Sequence, residues 1–260
     1  MALSESISEN FKTIVNAIDT TINGIFSIED GRTYSNNTKW AQIGRIVRDS
    51  EDRQYKVTEV EQNVYITAVA INHSNNLTGV IQLPTPLLLI GTKMSTNWEW
   101  TKKSSDLRTK LPLIWLLETY RYIEFGKGDS RDYEADVRVF FLDETNPKGF
   151  TSDDSRKKVV HPVSRLADNF ITCVNANTRF KRVIQATKKD YSRFGVETDA
   201  GMIKNILDAD LSGVELNFTL TAYKGTCKGE CDAPKLPSDL IIDGGFADTN
   251  YLTNYDGGTA

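Results

Sequence analysis

The stretch Val214-Glu-Leu-Asn-Phe-Thr-Leu-Thr-Ala-Tyr223 sets Val214, Leu216, Phe218, Leu220 and Ala222 against Glu215, Asn217, Thr219, Thr221 and Tyr223. Strict alternation places one set in a core and the other in water, so the segment predicts a strand. Tyr133-Glu-Ala-Asp-Val-Arg-Val-Phe-Phe-Leu142 repeats the pattern, with Tyr133, Ala135, Val137, Val139 and Phe141 on one side. Glu134, Asp136 and Arg138 fall on the other, giving one buried and one wet face, as in an antiparallel sheet.

Between these strands the period changes. Val163, Leu166, Ala167, Phe170, Ile171 and Val174 recur at helical spacing, Pro162 suits the first turn, and Cys173 lies beside the stripe. A second stripe, Ile7, Phe11, Ile14, Val15, Ile18 and Ile22, predicts an N-terminal helix. Ser6 and Glu9 have capping-box spacing at its start, and Asn23-Gly24 ends it.

Further strands are expected at Val64–Ile71, Val80–Leu83, Leu113–Leu117, Tyr120–Phe125 and Arg182–Thr187. Trp40, Ile43, Ile46 and Val47 suggest a short amphipathic helix, and Met202–Leu207 one or two helical turns. Asp143–Lys158 reads as a polar loop, and 188–201 as an exposed one. The fold class is α+β: a mainly antiparallel sheet with two packed amphipathic helices on one face. Residues 1–224 form a single assembly domain. Gly225–Ala260 is rich in Gly, Asp, Asn, Thr and Pro, with only Leu240, Ile241, Ile242 and Phe246 as core candidates. It reads as a flexible arm that orders against a partner.

Composition limits the function classes. The chain has 260 residues, 39% of them hydrophobic, and a net charge of -4, which disfavours nucleic acid as the main partner. Arg156, Lys157, Lys158, Arg179, Lys181, Arg182, Lys188, Lys189 and Arg193 form a basic cluster, read as a solvated edge rather than a DNA-facing strip. No apolar run approaches the roughly 20 residues that cross a bilayer, and no signal peptide is evident, so a cytoplasm and no membrane partner are expected.

Catalytic constellations do not emerge. The two histidines, His73 in a polar turn and His161 before Pro162, suit structural or solvated roles. No G-x-S-x-G, Walker A or G-x-G-x-x-G occurs. Cys227 and Cys231 lack the second pair that a structural zinc needs and read as free thiols, with a local disulfide as the alternative. Asp153 and Asp154 are weak metal ligands in a polar loop. The expectation is a non-enzyme with no cofactor.

The series Leu111-Pro-Leu-Ile-Trp-Leu-Leu-Glu118, Tyr133–Leu142, the helix His161–Asn175, and Ile206-Leu-Asp-Ala-Asp-Leu-Ser-Gly-Val-Glu-Leu-Asn-Phe-Thr-Leu220 resembles the tail-terminator and tail-completion (neck) proteins of tailed bacteriophages. The resemblance covers about 105–225 and the N-terminal helix; 24–110 is an extension relative to the compact family fold. It implies a structural virion protein, assembled in the host cytoplasm, whose copies form a ring joining head connector and tail. The implied partners are further copies of itself and other neck, connector or tail-tube proteins, with incidental contact to DNA in the channel.

Candidate interface residues are Trp98 and Trp100, Lys127, Asp129 and Arg131, then Lys148, Phe150, Arg156, Lys157 and Lys158, and finally Ile241 and Ile242. Asn97-Trp98-Glu99-Trp100 on a strand would put both indoles on one face, as core or as an interface anchor. The loops Phe125–Asp132 and Asp143–Lys158 are the expected tube-facing elements. A virion carbohydrate- or receptor-binding module is the competing reading, drawing on Tyr120, Tyr122, Trp98 and Trp100.

Overall fold

A computed structural model describes residues 3–103, 106–107, 110–118, 121–125, 132–146, 148–197, 203–204 and 207–222, all within the unit Met1–Lys224. Lys127, Asp129, Arg131, Tyr120, Cys227, Cys231, Ile241, Ile242 and the arm 225–260 lie outside the described residues.

The elements run α1 (Leu3–Asn16), β1 (Thr21–Asn23), β2 (Ile25–Ser27), β3 (Arg32–Tyr34), β4 (Ile46–Arg48), β5 (Gln54–Glu61), β6 (Tyr65–Ala70), β7 (Val80–Gln82) and β8 (Leu87–Gly91). Then come α2 (Lys93–Lys102), β9 (Leu113–Leu117), β10 (Arg121–Phe125), β11 (Asp132–Glu144) and α3 (Ser152–Ser155). A π turn (Arg156–Val160) leads into α4 (His161–Ala176), followed by β12 (Ala186–Phe194), β13 (Val196–Glu197), β14 (Ile203–Lys204) and β15 (Leu211–Ala222).

The fold is α+β with mainly antiparallel sheets, as the alternating strands require. One sheet runs β12-β15-β11-β9-β8, with β10 also on β11; only β8 and β9 pair in parallel. The β11–β15 ladder extends from Tyr133↔Ala222 to Glu144↔Leu211. It brings Ala135, Val137, Val139 and Phe141 beside Val214, Leu216, Phe218 and Leu220, all buried. Helix α4 packs on β11 and β15, and α1 lies against α4 and β8. Phe170 sits with its ring centroid 5.3 Å from both Phe11 and Phe141.

The opposite face of β11 is wet only over its first half, at Asp136 and Arg138. Phe140 and Leu142 are buried there in a second apolar cluster with Trp115, Phe194, Leu211 and Trp100. Trp115 stacks on Phe140 at 5.0 Å.

The other sheet runs β1-β7-β4-β5-β6-β3-β2, entirely antiparallel. It is built from residues 21–82. Its inner side chains, among them Trp40, Val47, Tyr55, Val57, Ile66 and Ile81, join the same main cluster as α1 and α4. No helix forms over 40–47: Trp40 and Ala41 lie buried in turns and Ile46–Arg48 is a strand.

Several element boundaries differ from expectation for local reasons. Helix α1 begins at Leu3, so Ser6 lies inside it rather than at its cap, and it stops at Asn16. Asp19 accepts the Thr21 N–H at 2.9 Å, a turn that diverts the chain into β-branched β1, so Ile18 and Ile22 are buried without being helical. The loop after Asp143 is helical from Ser152, where Thr151 and Asp154 form a reciprocal capping box. Pro162 therefore sits in a continuing helix, directly after the wider π turn. A wider turn is where a residue lacking an N–H donor is accommodated.

Residues 186–194 form a strand, not an exposed loop. As β12 they pair with β15 at the end of the sheet, and their Lys188, Lys189 and Asp190 are the charges expected on an edge. Ile203–Lys204 is a strand paired with β13, not a helical turn.

Candidate assembly interface

The segment after β11 and the segment before β4 meet face to face. Arg45 donates to the Leu111 carbonyl at 2.7 Å and ion-pairs with Asp143, with only 7% and 1% of the two residues exposed. The Glu144 N–H also donates to Asp143, at 2.7 Å. Burial pushes the Asp143 carboxyl up, against the pull of the Arg45 guanidinium. This pair ties the seven-stranded sheet to the six-stranded one. Gln42 Nε2 and Asp143 Oδ2 beside it are buried without a hydrogen-bond partner.

Two adjoining depressions share Gln42, Ile43, Glu144 and Phe150, and the first of them is lined by the Arg45–Asp143 pair. One, of about 470 Å³, takes in Arg45, Lys56 and Lys148. The other, of about 600 Å³, takes in Val60, Glu61, Lys158 and Val159. Together they form a groove, mostly polar in the first depression and with apolar wall from Ile43, Val60, Phe150 and Val159 in the second. Ile43 is 61% exposed along it.

The expected interface residues divide. Phe150 is half-buried in the groove wall, with Lys158 Nζ 4.9 Å from its ring centre. Lys148 lines the first depression and Lys157 and Lys158 the second, while Arg156 is exposed on the π turn and lines neither. Lys157 pairs with Asp153 at 2.7 Å and Lys158 with Asp154 at 2.8 Å. Lys158 and the Thr151 cap hold the Asp154 carboxyl down at about 2. Lys188 and Arg193 pair likewise with Asp168 and Asp210. These ion pairs fit a balanced, solvated surface, with Asp153 and Asp154 engaged by neighbouring lysines.

Trp98 and Trp100 do not share a face. They lie on α2, capped by Thr92, and two residues along a helix point to opposite sides. Trp100 is 1% exposed, under the Lys110 side chain, whose ammonium donates to the Trp100 carbonyl at 2.8 Å. Trp98 is 62% exposed, and Met94, one turn earlier, 85%. Lys102 Nζ sits 3.2 Å from the Trp98 ring centre.

His73 accounts for itself locally: its ring lies edge-on to Tyr55 at 4.7 Å and bonds the Gln54 carbonyl at 3.0 Å. His161 is exposed on the helix surface, beside the groove rather than at a cap. Ile43, Val60, Glu61 and Met94 were not among the sequence candidates. The signal for Met94 was present, since Met94 and Trp98 share helical spacing, but reading the segment as a strand hid it. Among the described residues no cluster of His, Cys, Asp and Glu could hold a metal ion.

No protein-family model, curated protein or solved structure matches this chain.

Proposed function

We propose that this chain is a structural subunit of a tailed-phage virion, a neck or tail-terminator protein whose copies form a ring between head connector and tail. The observation that carries the reading is the groove of about 600 Å³ beside Ile43 and Phe150. Ile43, Val60, Phe150 and Val159 give it apolar wall, three expected interface residues (Phe150, Lys157 and Lys158) line it, and the adjoining depression takes in Lys148 and the buried Arg45–Asp143 pair. An apolar wall of this kind is suited to taking up a neighbour's side chains. The order of leading helix, sheet, second helix and closing strand adds the family resemblance.

The same reading makes the protein catalytically silent. It assembles with further copies and with connector or tail-tube proteins, and its place is the virion. Trp98 still favours a carbohydrate- or receptor-binding module, but the paired-indole platform is lost with Trp100 buried. A glycan array separates the two: specific hits would favour recognition, none the ring.

Electron microscopy of particles carrying a labelled copy of the chain tests the proposal. Density for the label at the head–tail junction, repeated around the axis, is expected. Label at fibre tips, or none on the particle, would overturn it.

A further inference from the structure

We infer that the exposed face of α2, carrying Met94 and Trp98, seats in the Ile43–Phe150 groove of the next copy around the ring; the inference rests on the ring reading above.

Helix α2 is fastened by Thr96 and Trp100, which are buried, and it packs against β8. Met94 and Trp98 stand one turn apart on its outer side, 85% and 62% exposed, and form a short apolar ridge. Helix-in-groove recognition uses such a pair of anchors one turn apart. Tryptophan and methionine are both enriched at interfaces, the first as a rigid anchor and the second because its flexible thioether fits irregular gaps.

The groove offers the matching surface. Ile43, Val60, Phe150 and Val159 give it apolar walls, and Glu61 and Glu144 are exposed at its margin. Lys157 and Lys158, on the same margin, are already matched by Asp153 and Asp154. In the depression of about 600 Å³ the charges left over are therefore Glu61 and Glu144, while Lys56 and Lys148 line the adjoining one. Helix α2 and its C-cap carry Lys93, Lys102 and Lys103 against the single acid Glu99. Lys102, poised over the Trp98 ring, is the cation best placed to meet those carboxylates. Opposite charges set the register while the apolar ridge supplies burial.

The ridge and the groove are different surfaces of one subunit. A contact between them is head-to-tail, and repetition of such a contact gives a ring where the rotation from copy to copy closes and an open filament where it does not. A self-complementary contact would use one surface twice and stop at a pair.

Two experiments on the full chain decide the matter. In a background with Cys173, Cys227 and Cys231 changed to Ser, Met94→Cys and Ile43→Cys are made in separate chains and oxidised alone and mixed. The expected result is a cross-linked dimer in the mixture and none in either variant alone. Cross-linking within a single variant would mean a two-fold contact and overturn the inference. No cross-link in a mixture that still forms rings would assign the groove to another partner, overturning the contact while the ring stands. A wild-type chain that never forms rings would overturn both.

The second experiment needs no cysteines and covers a background that fails to fold. Changing Glu61 and Glu144 to Lys is expected to abolish rings, and adding Lys93→Glu and Lys102→Glu in the same chain to restore them. Rings that survive the first pair of changes, or that the second pair does not restore, would count against the contact.

Discussion

The two sheets hold together by different means. The six-stranded sheet relies on long strands and side-chain burial: β11 and β15 run twelve or more residues each, and large aromatics fill both sides of their centre. The seven-stranded sheet has four strands of only three residues among those before β5, and its turns are held by polar groups. Asp49 is the clearest case. It accepts the N–H groups of Glu51 and Arg53 at 2.9 and 3.0 Å, Arg53 Nε at 2.7 Å and the Tyr55 hydroxyl at 2.9 Å. Its turns also place Asp52, Asn63 and Asn72 in the left-handed region, where short polar side chains bond locally. Burial therefore sets the stability of one sheet, and fixed polar geometry sets the shape of the other, which supplies half of the groove.

Substitutions should separate the two mechanisms. The largest effect is expected for Phe141→Ala. Phe141 is fully buried and packs on Phe170, so truncation leaves a cavity and costs about 3–5 kcal/mol by urea unfolding. Arg45→Met tests the joint between the sheets. It leaves Asp143 buried without its partner and costs about 3–5 kcal/mol. Replacing both, as Arg45→Met with Asp143→Leu, should recover most of that loss, because two apolar groups replace two buried charges. Recovery in the double variant is the outcome that distinguishes an ion pair from simple packing.

A smaller cost, about 2 kcal/mol, is expected for Asp49→Ala, which removes a hydrogen-bond hub from the seven-stranded sheet only. It also carries a pH signature. Burial raises the Asp49 carboxyl, but Arg53 and Tyr55 outweigh it, so the folded value lies below the ordinary 3.8. The stabilisation is then full above 3.8 and is lost as pH falls through the folded value. Acid titration of wild type and Asp49→Ala should converge below that range. Curves that stay parallel would show that the carboxylate is not the cause.

Strands β11 and β15 and helix α4 were legible because burial writes itself into sequence as period: alternation in 214–222 and 133–142, a helical stripe in 163–174; β8 and most of β12 in the same sheet were not read. The same logic misled at Phe140 and Leu142, which break the alternation because a second core covers that end of β11. In the seven-stranded sheet β6 and β7 were legible, at Val64–Ile71 and Val80–Leu83, and the other strands left little trace. Three-residue strands are too short to show a period, and their positions are set by turns such as the one around Asp49, whose bonds reach two to six residues along the chain. The groove was half legible for the same reason. Phe150 and the lysines came from a segment marked by its polarity, whereas Ile43 lies in the turn before β4 and Val60 in β5, neither of which was read from the sequence. Helix α2 was missed because Trp98 and Trp100, on opposite sides of a helix, look like alternate positions on a strand.

The smallest effect on folding belongs to Trp98→Ala. An exposed side chain away from the core should change subunit stability by no more than about 0.5 kcal/mol. Its effect on assembly should be total, since Trp98 is the anchor of the inferred contact. The central claim is that copies of this chain close into a ring. It is tested most directly by the native mass of the full chain across a concentration series. The account predicts one discrete species, a fixed multiple greater than two of the 29.2 kDa subunit, that vanishes in Trp98→Ala while the monomer stays folded. A mass of 29.2 kDa at every concentration, or a dimer that Trp98→Ala leaves intact, would contradict it.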